Sequence, residues 1–438
     1  MTDVWPQLEP LLTKVAKPAR YIGLEDGARS PHHAPEKVAW LLSYPDTYEI
    51  GLPNQGLQIL YEILNERPDA VAERAYAPWS DLEGMLRERN IPLFSIDSHR
   101  PAALFDLIGF NLSAELTYTN LLNMVDLAGV PVRSADRRPE HPLILAGGHC
   151  TYNPEPIADF LDLVVLGDGE EVIAEITEVV REWKRSGRTD GSRENVLREL
   201  SHIVGVYVPS MYEVTYEGAD LVAVTPRYPD VPERVEKRTV ADLADFPYPK
   251  TQLVPITEVV HDRLNVEVFR GCTRGCRFCQ AGMITRPVRE RPAEQVRTMV
   301  EEGLRRTGYD EVALTSLSTA DFSGIETLVG DIVKSTDDGP PVSVSLPSLR
   351  VDAFGVGIAT QIQRARRTGL TFAPEAGTWR MRQVINKLIR EEDLYSAVEA
   401  AYANGWRRMK LYFLAGLPTE TDEAVSYTHL TLPTKRIV

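Results

Sequence analysis

The sequence predicts an α/β protein with two successive regions of parallel β-sheet. Over residues 36–180, and again from residue 264, apolar strand-like segments alternate with segments of helical spacing. This alternation indicates βαβ units, whose strands run parallel. A chain of 438 residues, of which 43% are hydrophobic and 25% are charged, is long enough for two or three domains with separate cores.

The N-terminal region contains four predicted strand segments with helices between the first three. The strand segments lie at 37–45, 105–113, 142–150 and 161–171, and the helices at 56–67 and 117–129. Ligands of parallel sheets bind beyond the carboxyl ends of the strands. The residues at those ends are Asp46, Ser113, Gly147, Gly148, Gly167 and Gly169.

The middle of the chain has weaker patterns. Residues 184–195 are polar and predict a surface loop, and 205–227 predict short β segments. Residues 227–250 contain four prolines and no clear period, which predicts an extended linker. Further strands are predicted at 264–270, 311–318, 341–350, 370–377 and 407–418, with a helix at 291–308.

Charge and hydropathy exclude several classes of protein. The net charge of −15 argues against diffuse attraction to nucleic acid, although a local basic patch stays open. The N-terminus lacks the apolar stretch of a signal peptide. No run of roughly eighteen apolar residues predicts a membrane span. We therefore expect a cytoplasmic protein with no membrane partner.

Three of the four cysteines, Cys272, Cys276 and Cys279, lie within eight positions in the run RGCTRGCRFCQAG. Three thiolates this close can each hold one iron of a [4Fe–4S] cube, which leaves the fourth iron open to a small molecule. A disulfide would need an oxidising compartment, which the sequence does not indicate. Structural zinc would need a fourth ligand, and Cys150 is far away in sequence. The spacing therefore favours the cluster.

This C-x3-C-x2-C run, with Phe278 before its last cysteine as a cofactor-binding candidate, resembles the signature of the radical SAM superfamily. TSLSTADF, SLPSLRVD, LTFAPEAGTWRMRQVINK and LYFLAGLPTETD also resemble that superfamily, and in particular its members with an N-terminal cobalamin-binding-type domain. The resemblance implies an enzyme with a [4Fe–4S] cluster, S-adenosylmethionine (SAM) at the open iron and a reducing electron donor. An electron would cleave SAM and release a 5′-deoxyadenosyl radical.

The resemblance also implies the domain order. It places a Rossmann-like cobalamin-binding-type domain at 36–226, after an extension at 1–35, and a linker at 227–263. An incomplete (β/α)6 TIM-type barrel without its last strand follows at 264–425. The tail at 426–438 has no helical period where the barrel needs a helix and a sixth strand. We expect this tail to be foreign to the protein and to contribute nothing to the fold.

In such barrels the strand ends contact SAM, and the resemblance implies four contact residues. Ser316 follows the second strand and would lie beside the amino group of SAM. Its run, TSLS at 315–318, lacks the acidic residue of the common Gly-Gly-Glu version. Ser345 and Arg350, at the third strand, would meet the ribose and the carboxylate. Glu375, at the fourth, would meet ribose hydroxyls. The alternatives are a plain loop for Ser316, an ion pair with Asp352 for Arg350, and a helix cap for Glu375.

The N-terminal domain resembles cobalamin-binding domains, which often carry D-x-H-x-x-G with a histidine that coordinates cobalt. The matching string runs from Asp46 to Gly51 and has Tyr48 at the histidine position. Histidine ligation is therefore excluded, while base-off binding without a lower protein ligand stays open. Ser113 and Gly147–Gly148 match stretches that line the nucleotide tail. The alternative is a Rossmann-like module without cobalamin, whose glycines serve tight turns.

Three functions fit these patterns. The first is cobalamin-dependent transfer of a methyl group to an unactivated carbon, which the order of the two domains supports. The second is cobalamin-independent modification of tRNA or rRNA, so that RNA stays open as a partner. The third is a non-catalytic iron–sulfur scaffold, against which the SAM-pocket resemblance argues. The sequence does not specify the substrate.

Overall fold

The computed structural model describes residues 3–189, 191–335, 342–347, 351 and 370–427. The chain folds into two compact units. The first unit comprises Met1–Val240 and Tyr248–Asp262, and the second comprises Ala241–Pro247 and Arg263–Val438. The proline-containing segment between the predicted domains therefore contributes residues to both units.

A six-stranded sheet is the centre of the first unit. Its strands are β1 (Val38–Tyr44), β2 (Ala70–Tyr76), β3 (Leu107–Asn111), β4 (Leu143–Gly147), β5 (Leu163–Val165) and β6 (Val206–Tyr207). Their order is β2-β1-β3-β4-β5-β6. The first five run parallel and β6 is antiparallel to β5. The parallel Rossmann-like sheet expected from the sequence is confirmed.

The helices of the first unit lie between these strands, except α1, which precedes β1. They are α1 (Trp5–Leu12), α2 (Tyr48–Gly51), α3 (Gln55–Glu66), α4 (Ser80–Arg89), α5 (Tyr118–Leu127), α6 (Gly169–Arg185) and α7 (Ser192–Leu200). The side chain of Asn54 caps α3 by accepting a hydrogen bond from the Leu57 N–H. The predicted polar loop at 184–195 is shorter in the structure, because α6 extends to Arg185 and α7 begins at Ser192.

Two further parts complete the first unit. A hairpin of β7 (Tyr212–Glu217) and β8 (Asp220–Pro226) corresponds to the predicted short β segments. In the N-terminal extension, Leu8 and Leu11 of α1 pack in a separate apolar cluster with Leu82 and Leu86 of α4. The extension is therefore part of the folded unit.

The second unit contains two separate parallel sheets and a short antiparallel pair. Its strands are β9 (Leu264–Glu267), β10 (Phe269–Arg270), β11 (Arg289–Glu290), β12 (Glu311–Thr315), β13 (Ser343–Ser345), β14 (Leu370–Glu375) and β15 (Met409–Phe413). The parallel sheets have the orders β13-β12-β9 and β14-β15, and β10 pairs antiparallel with β11. β9, β12, β13, β14 and β15 coincide with the five predicted barrel strands.

The helices of the second unit follow the strands. They are α8 (Ala281–Ile284), α9 (Ala293–Thr307), α10 (Ile325–Ser335), α11 (Trp379–Val384) and α12 (Glu391–Ala403). Strands and helices alternate in this order, which is compatible with a partial (β/α) barrel. Ser426 and Tyr427 belong to a helical segment at 422–427, and the rest of the predicted foreign tail lies outside the described residues.

Among the residues that the structure describes, no helix has both the length and the apolar character needed to cross a bilayer.

Candidate functional site

The loop that carries the three cysteines follows β10 and leads into α8. We call residues 271–280 the cluster loop. It begins at Gly271, which has a φ of +98° and whose added Cβ would lie 2.6 Å from the Pro287 carbonyl oxygen. A side chain does not fit there, so glycine allows the loop to turn away from the strand.

Cys272 and Cys279 lie close together at the start of α8. The Gly282 N–H donates a hydrogen bond to Cys279 Sγ at 3.3 Å. A Cβ on Gly282 would be 3.5 Å from Cys279 Sγ and 3.9 Å from Cys272 Cβ. Glycine therefore leaves space beside both cysteines, and its N–H contacts the Cys279 sulfur directly.

The donor set fits an iron–sulfur cluster by its chemistry. Cys272, Cys276 and Cys279 are all partly exposed and free of disulfides. In a four-iron cube each of three thiolates bonds a different iron. Soft thiolates suit iron–sulfur chemistry.

One side of the cluster loop is held by the segment after β12. Arg274 forms a two-pronged ion pair with Asp321, whose Oδ2 is 2.9 Å from Arg274 Nε. Ser318 Oγ donates to the same carboxylate oxygen at 2.6 Å. Bidentate pairing of this kind fixes orientation as well as distance. Sequence reasoning did not identify this role of Asp321.

The other side of the loop is held by the turn after α11. The Arg277 N–H donates to the Ile385 carbonyl oxygen at 3.0 Å, and Arg277 Nη1 donates to the Val384 carbonyl oxygen at 2.7 Å. Asn386 Nδ2 donates to the Gly275 carbonyl oxygen at 2.8 Å. The loop is therefore attached to two elements that are far apart in sequence.

The candidate SAM contacts lie at strand ends, as expected from the sequence. Ser316 Oγ is 3.0 Å from Thr319 Oγ1 and accepts the Ser318 N–H at 3.2 Å, so it takes part in the loop after β12. Ser345 is the buried last residue of β13. Their roles toward SAM stay predictions. Arg350 lies outside the described residues.

Glu375 ends β14 and does not cap the following helix, because Thr378 accepts the capping bond from the Met381 N–H. Instead, Glu375 Oε1 accepts a hydrogen bond from Lys387 Nζ at 2.9 Å. Its backbone has a φ of +67°, which is unusual for a residue other than glycine. Lys387 lies next to Asn386 of the loop attachment and was not predicted as a site residue.

The first unit has a second candidate site at the carboxyl edge of its sheet. The strand order places a topological switch between β1 and β3, where parallel sheets bind ligands. Asp46 follows β1 and Ser113 follows β3. Ser113 Oγ donates to Asn111 Oδ1 at 2.8 Å, and Asn111 Nδ2 donates to Asn54 Oδ1 at 3.2 Å. Neither asparagine was singled out in the sequence.

The double glycine lies at the same edge. Gly147 ends β4 and pairs with Asn111 of β3. Gly148 has a φ of +110°, and an added Cβ would be 2.6 Å from the Leu112 carbonyl oxygen. The structure therefore brings Ser113, Gly147 and Gly148 to one edge. At Gly148 a side chain would collide with the Leu112 backbone.

Tyr48 and Gly51 belong to the string that resembles the cobalamin-binding motif. Both residues are buried. Tyr48 is 1% exposed, and its ring packs edge-on against Tyr76 with the centroids 5.5 Å apart. Burial raises the pKa of Tyr48 well above its ordinary value, so the phenol stays protonated. A Cβ on Gly51 would be 2.4 Å from the Tyr76 ring. This string therefore offers no cobalt ligand at the histidine position.

Comparison with known proteins gives two family matches. The N-terminal domain of radical SAM proteins matches residues 56–209, and the radical SAM superfamily domain matches residues 266–430. An uncharacterised protein of Methanocaldococcus jannaschii, MJ0966, is 28% identical over 342 residues, which cover 77% of this chain. The chain spans 65% of the length of that relative.

Solved structures show the same fold at low identity. TsrM, a radical SAM methyltransferase from Kitasatospora setae with cobalamin and a [4Fe–4S] cluster bound, has a TM-score of 0.59 and 14% identity. That match covers 90% of this chain and 73% of TsrM. OxsB, a cobalamin-dependent radical SAM enzyme with aqua-cobalamin and SAM bound, has a TM-score of 0.54 and 13% identity. That match covers 90% of this chain and 51% of OxsB.

Proposed function

Because the chain is an enzyme of the radical SAM superfamily, we propose that Cys272, Cys276 and Cys279 bind its [4Fe–4S] cluster and that it cleaves SAM reductively. The observation that carries this proposal is the cluster loop, which places the cysteines next to α8 and is attached on both sides. When bound, the cluster would supply one electron to the sulfonium of SAM. Cleavage of the C–S bond would then convert SAM into methionine and a 5′-deoxyadenosyl radical.

The residues around the cysteines have separate tasks in this proposal. Gly282 donates to the Cys279 sulfur and leaves room for the cube, and Asp321 keeps Arg274 and hence the loop in place. Ser345 and Glu375, at the ends of β13 and β14, orient the ribose of SAM by hydrogen bonds. The electron would come from a reducing electron donor.

For the first unit, we propose cobalamin binding and methyl transfer to an unactivated carbon. The fold likeness to TsrM and OxsB and the polar edge at the β1/β3 switch support this function. Since Tyr48 is buried and protonated, the residues described here give no lower ligand in the string from Asp46 to Gly51. Cobalamin would therefore be held through its corrin and nucleotide tail.

The test of cluster binding and SAM cleavage is anaerobic reconstitution followed by iron counting, EPR and detection of 5′-deoxyadenosine after dithionite reduction. We expect about four irons per chain and 5′-deoxyadenosine from the unaltered protein. Cys276→Ala should hold about three irons or fewer and form none of this product, because one iron loses its ligand. Cys150→Ala is the matched control and should behave like the unaltered protein.

A full SAM-responsive [4Fe–4S] cluster in Cys276→Ala would contradict the assignment. A corrin absorption band in the purified protein, or after incubation with hydroxocobalamin, tests the second part. A folded protein that takes up no cobalamin would refute methyl transfer by this route and favour a cobalamin-independent modification.

A further inference from the structure

A small cavity in the first unit lies between the N-terminal extension and the end of β2. Its volume is about 10 Å³, which is enough for one water molecule and too little for a larger ligand. Arg20 of the extension contributes to its wall. The aromatic residues around it are Tyr21, Tyr48, Tyr76 and Phe94.

Two phenols on the wall of this cavity lack a hydrogen-bond partner. Tyr48 and Tyr76 are 1% and 6% exposed. Among the residues that the structure describes, neither hydroxyl oxygen has a partner. Burial raises the pKa of both phenols well above its ordinary value, so each keeps a proton that it can donate. Because an unpaired buried hydroxyl destabilises the fold, the two phenols point to a bound molecule.

A buried ion pair beside the phenols has two more atoms without a partner. Glu25 Oε2 accepts a hydrogen bond from Arg74 Nη2 at 2.7 Å, and both side chains are fully buried. Within the described part of the chain, Glu25 Oε1 and Arg74 Nη1 have no partner. Burial raises both phenol pKa values most; the Glu25 carboxylate raises that of Tyr48 further, and the Arg74 guanidinium lowers that of Tyr76. Each charge therefore lies close to one phenol.

These four atoms together require a molecule that both donates and accepts hydrogen bonds. Glu25 Oε1 only accepts, Arg74 Nη1 only donates, and each phenol can do either. A buried water molecule typically makes two to four hydrogen bonds and acts in both roles. A metal cation could not accept the Arg74 N–H, and the guanidinium charge would repel it.

Direct contacts already hold the extension against α2, which begins at Tyr48. Arg20 Nε donates to Glu49 Oε1 at 2.8 Å, and Lys17 Nζ donates to the same oxygen at 3.1 Å. Since Glu49 is the neighbour of Tyr48, the extension and α2 are close enough for one water molecule to bridge them.

We propose that this cavity is a binding site for one ordered water molecule, which joins Tyr48 and Tyr76 to the buried pair of Glu25 and Arg74. The inference does not depend on the binding of cobalamin or SAM. Glu25 belongs to the N-terminal extension, and Tyr48 belongs to the string that resembles the cobalamin-binding motif. The side chain at the histidine position of that motif would therefore hold the extension in place instead of a cobalt ion.

The first experiment is a crystal structure of the full chain at a resolution that shows ordered water. We expect one peak of solvent density within hydrogen-bonding distance of the Tyr48 and Tyr76 hydroxyls. An empty cavity would overturn the proposal, and so would direct hydrogen bonds of the two phenols to Glu25 and Arg74. Anomalous density in the cavity after a rubidium soak would identify a cation and would also overturn it.

Unfolding measurements test the same site in solution. Tyr48→Phe and Tyr76→Phe keep the ring contact and should each lower the unfolding midpoint of the first unit by about 2–4 °C, the effect of one lost hydrogen bond. The double variant should lose less than the sum of the two, because both phenols bond the same water molecule. Fully additive losses would show that the phenols share no partner and would overturn the proposal.

Tyr212→Phe is the matched control. Tyr212 is 3% exposed, and its hydroxyl donates directly to the Pro232 carbonyl oxygen at 2.8 Å, away from the cavity. Its loss should add fully to that of Tyr48→Phe, because the two residues share no partner. If Tyr212 were coupled to Tyr48 as strongly as Tyr76 is, the coupling would not come from a shared water molecule, which would contradict the proposal.

Amide hydrogen exchange measures the link to the extension. The Ala28 N–H donates to the Glu25 carbonyl oxygen at 3.1 Å, so its exchange reports on this part of the extension. We expect faster exchange at Ala28 in the variant with both Tyr48→Phe and Tyr76→Phe than in the unaltered protein or in Tyr212→Phe. Equal exchange in all three would overturn the bridging role of the water molecule.

Discussion

At the scale of single residues, Glu73 shows how a buried carboxylate in β2 is kept ionised. Its side chain is fully buried and pairs with His33. Ser98 donates to it through its backbone N–H at 3.0 Å and its hydroxyl at 2.7 Å, and Ser95 Oγ donates at 2.5 Å. Burial alone would raise the pKa of Glu73, but the hydrogen bonds from His33, Ser95 and Ser98 hold it below the ordinary 4.5.

This lowered pKa predicts a pH-dependent contribution to stability. A carboxyl group with a lower pKa in the folded state stabilises the fold above its unfolded pKa, and this stabilisation disappears as the pH falls through the folded value. Glu73→Gln should therefore lower the thermal unfolding midpoint at pH 7, and the difference from the unaltered protein should shrink below pH 4.5.

The control for this prediction is Glu178→Gln, because Glu178 is 61% exposed and makes a longer ion pair. We expect little change in its unfolding midpoint at either pH. A difference for Glu73→Gln that is constant from pH 7 to pH 4 would show that the carboxylate charge does not stabilise the fold.

Gly51 gives a second prediction at this scale. An added Cβ would approach the Tyr76 ring to 2.4 Å, so Gly51→Ala should destabilise the first unit by about 1–3 kcal/mol through overpacking. Gly84→Ala, in the middle of α4 with no atom within 4 Å of its added Cβ, should stabilise by about 0.5–1 kcal/mol. Thermal or urea unfolding measures both, and equal effects would contradict the packing role of Gly51.

At the scale of elements, the cluster loop is fixed by the segments after β12 and α11 rather than by its own hydrogen bonds alone. Asp321 attaches it through Arg274, and Asn386 attaches it through Gly275. We expect this rigidity to slow the loss of iron, because a ligand that leaves the cube stays close and rebinds.

Asp321→Asn tests this expectation without touching a ligand. The asparagine cannot form the bidentate charged pair, so iron release to a chelator should be several times faster, while all three cysteines remain. Asp331→Asn on the exposed face of α10 is the matched control and should release iron at the unaltered rate. An unchanged rate for Asp321→Asn would show that the ion pair does not hold the loop.

At the scale of the whole molecule, the two units carry two candidate sites. One is the carboxyl edge of the sheet at the switch between β1 and β3, and the other is the cluster loop. The buried, protonated Tyr48 predicts how cobalamin would bind to the first unit. We expect base-off binding without a protein nitrogen beneath cobalt, so the Co(II) EPR spectrum should lack nitrogen superhyperfine splitting. Splitting from a protein histidine would contradict this prediction.

The sequence by itself determined the features that depend on local spacing. The alternation of apolar strands with helical segments predicted β1, β3, β4 and β5 and all five main strands of the second unit. The three clustered cysteines predicted the cluster loop, because the spacing of thiolates is a local property of the chain.

Only the tertiary structure decided how charged residues are used. β2 was missed because Glu73 and Arg74 interrupt its apolar pattern, yet Arg74 is fully buried between Glu25 and Asp97. Buried charges are tolerated only when partners neutralise them, and these partners come from distant parts of the chain. The pairs of Glu375 with Lys387 and of Asp321 with Arg274 depend on folding in the same way, so no local pattern could predict them.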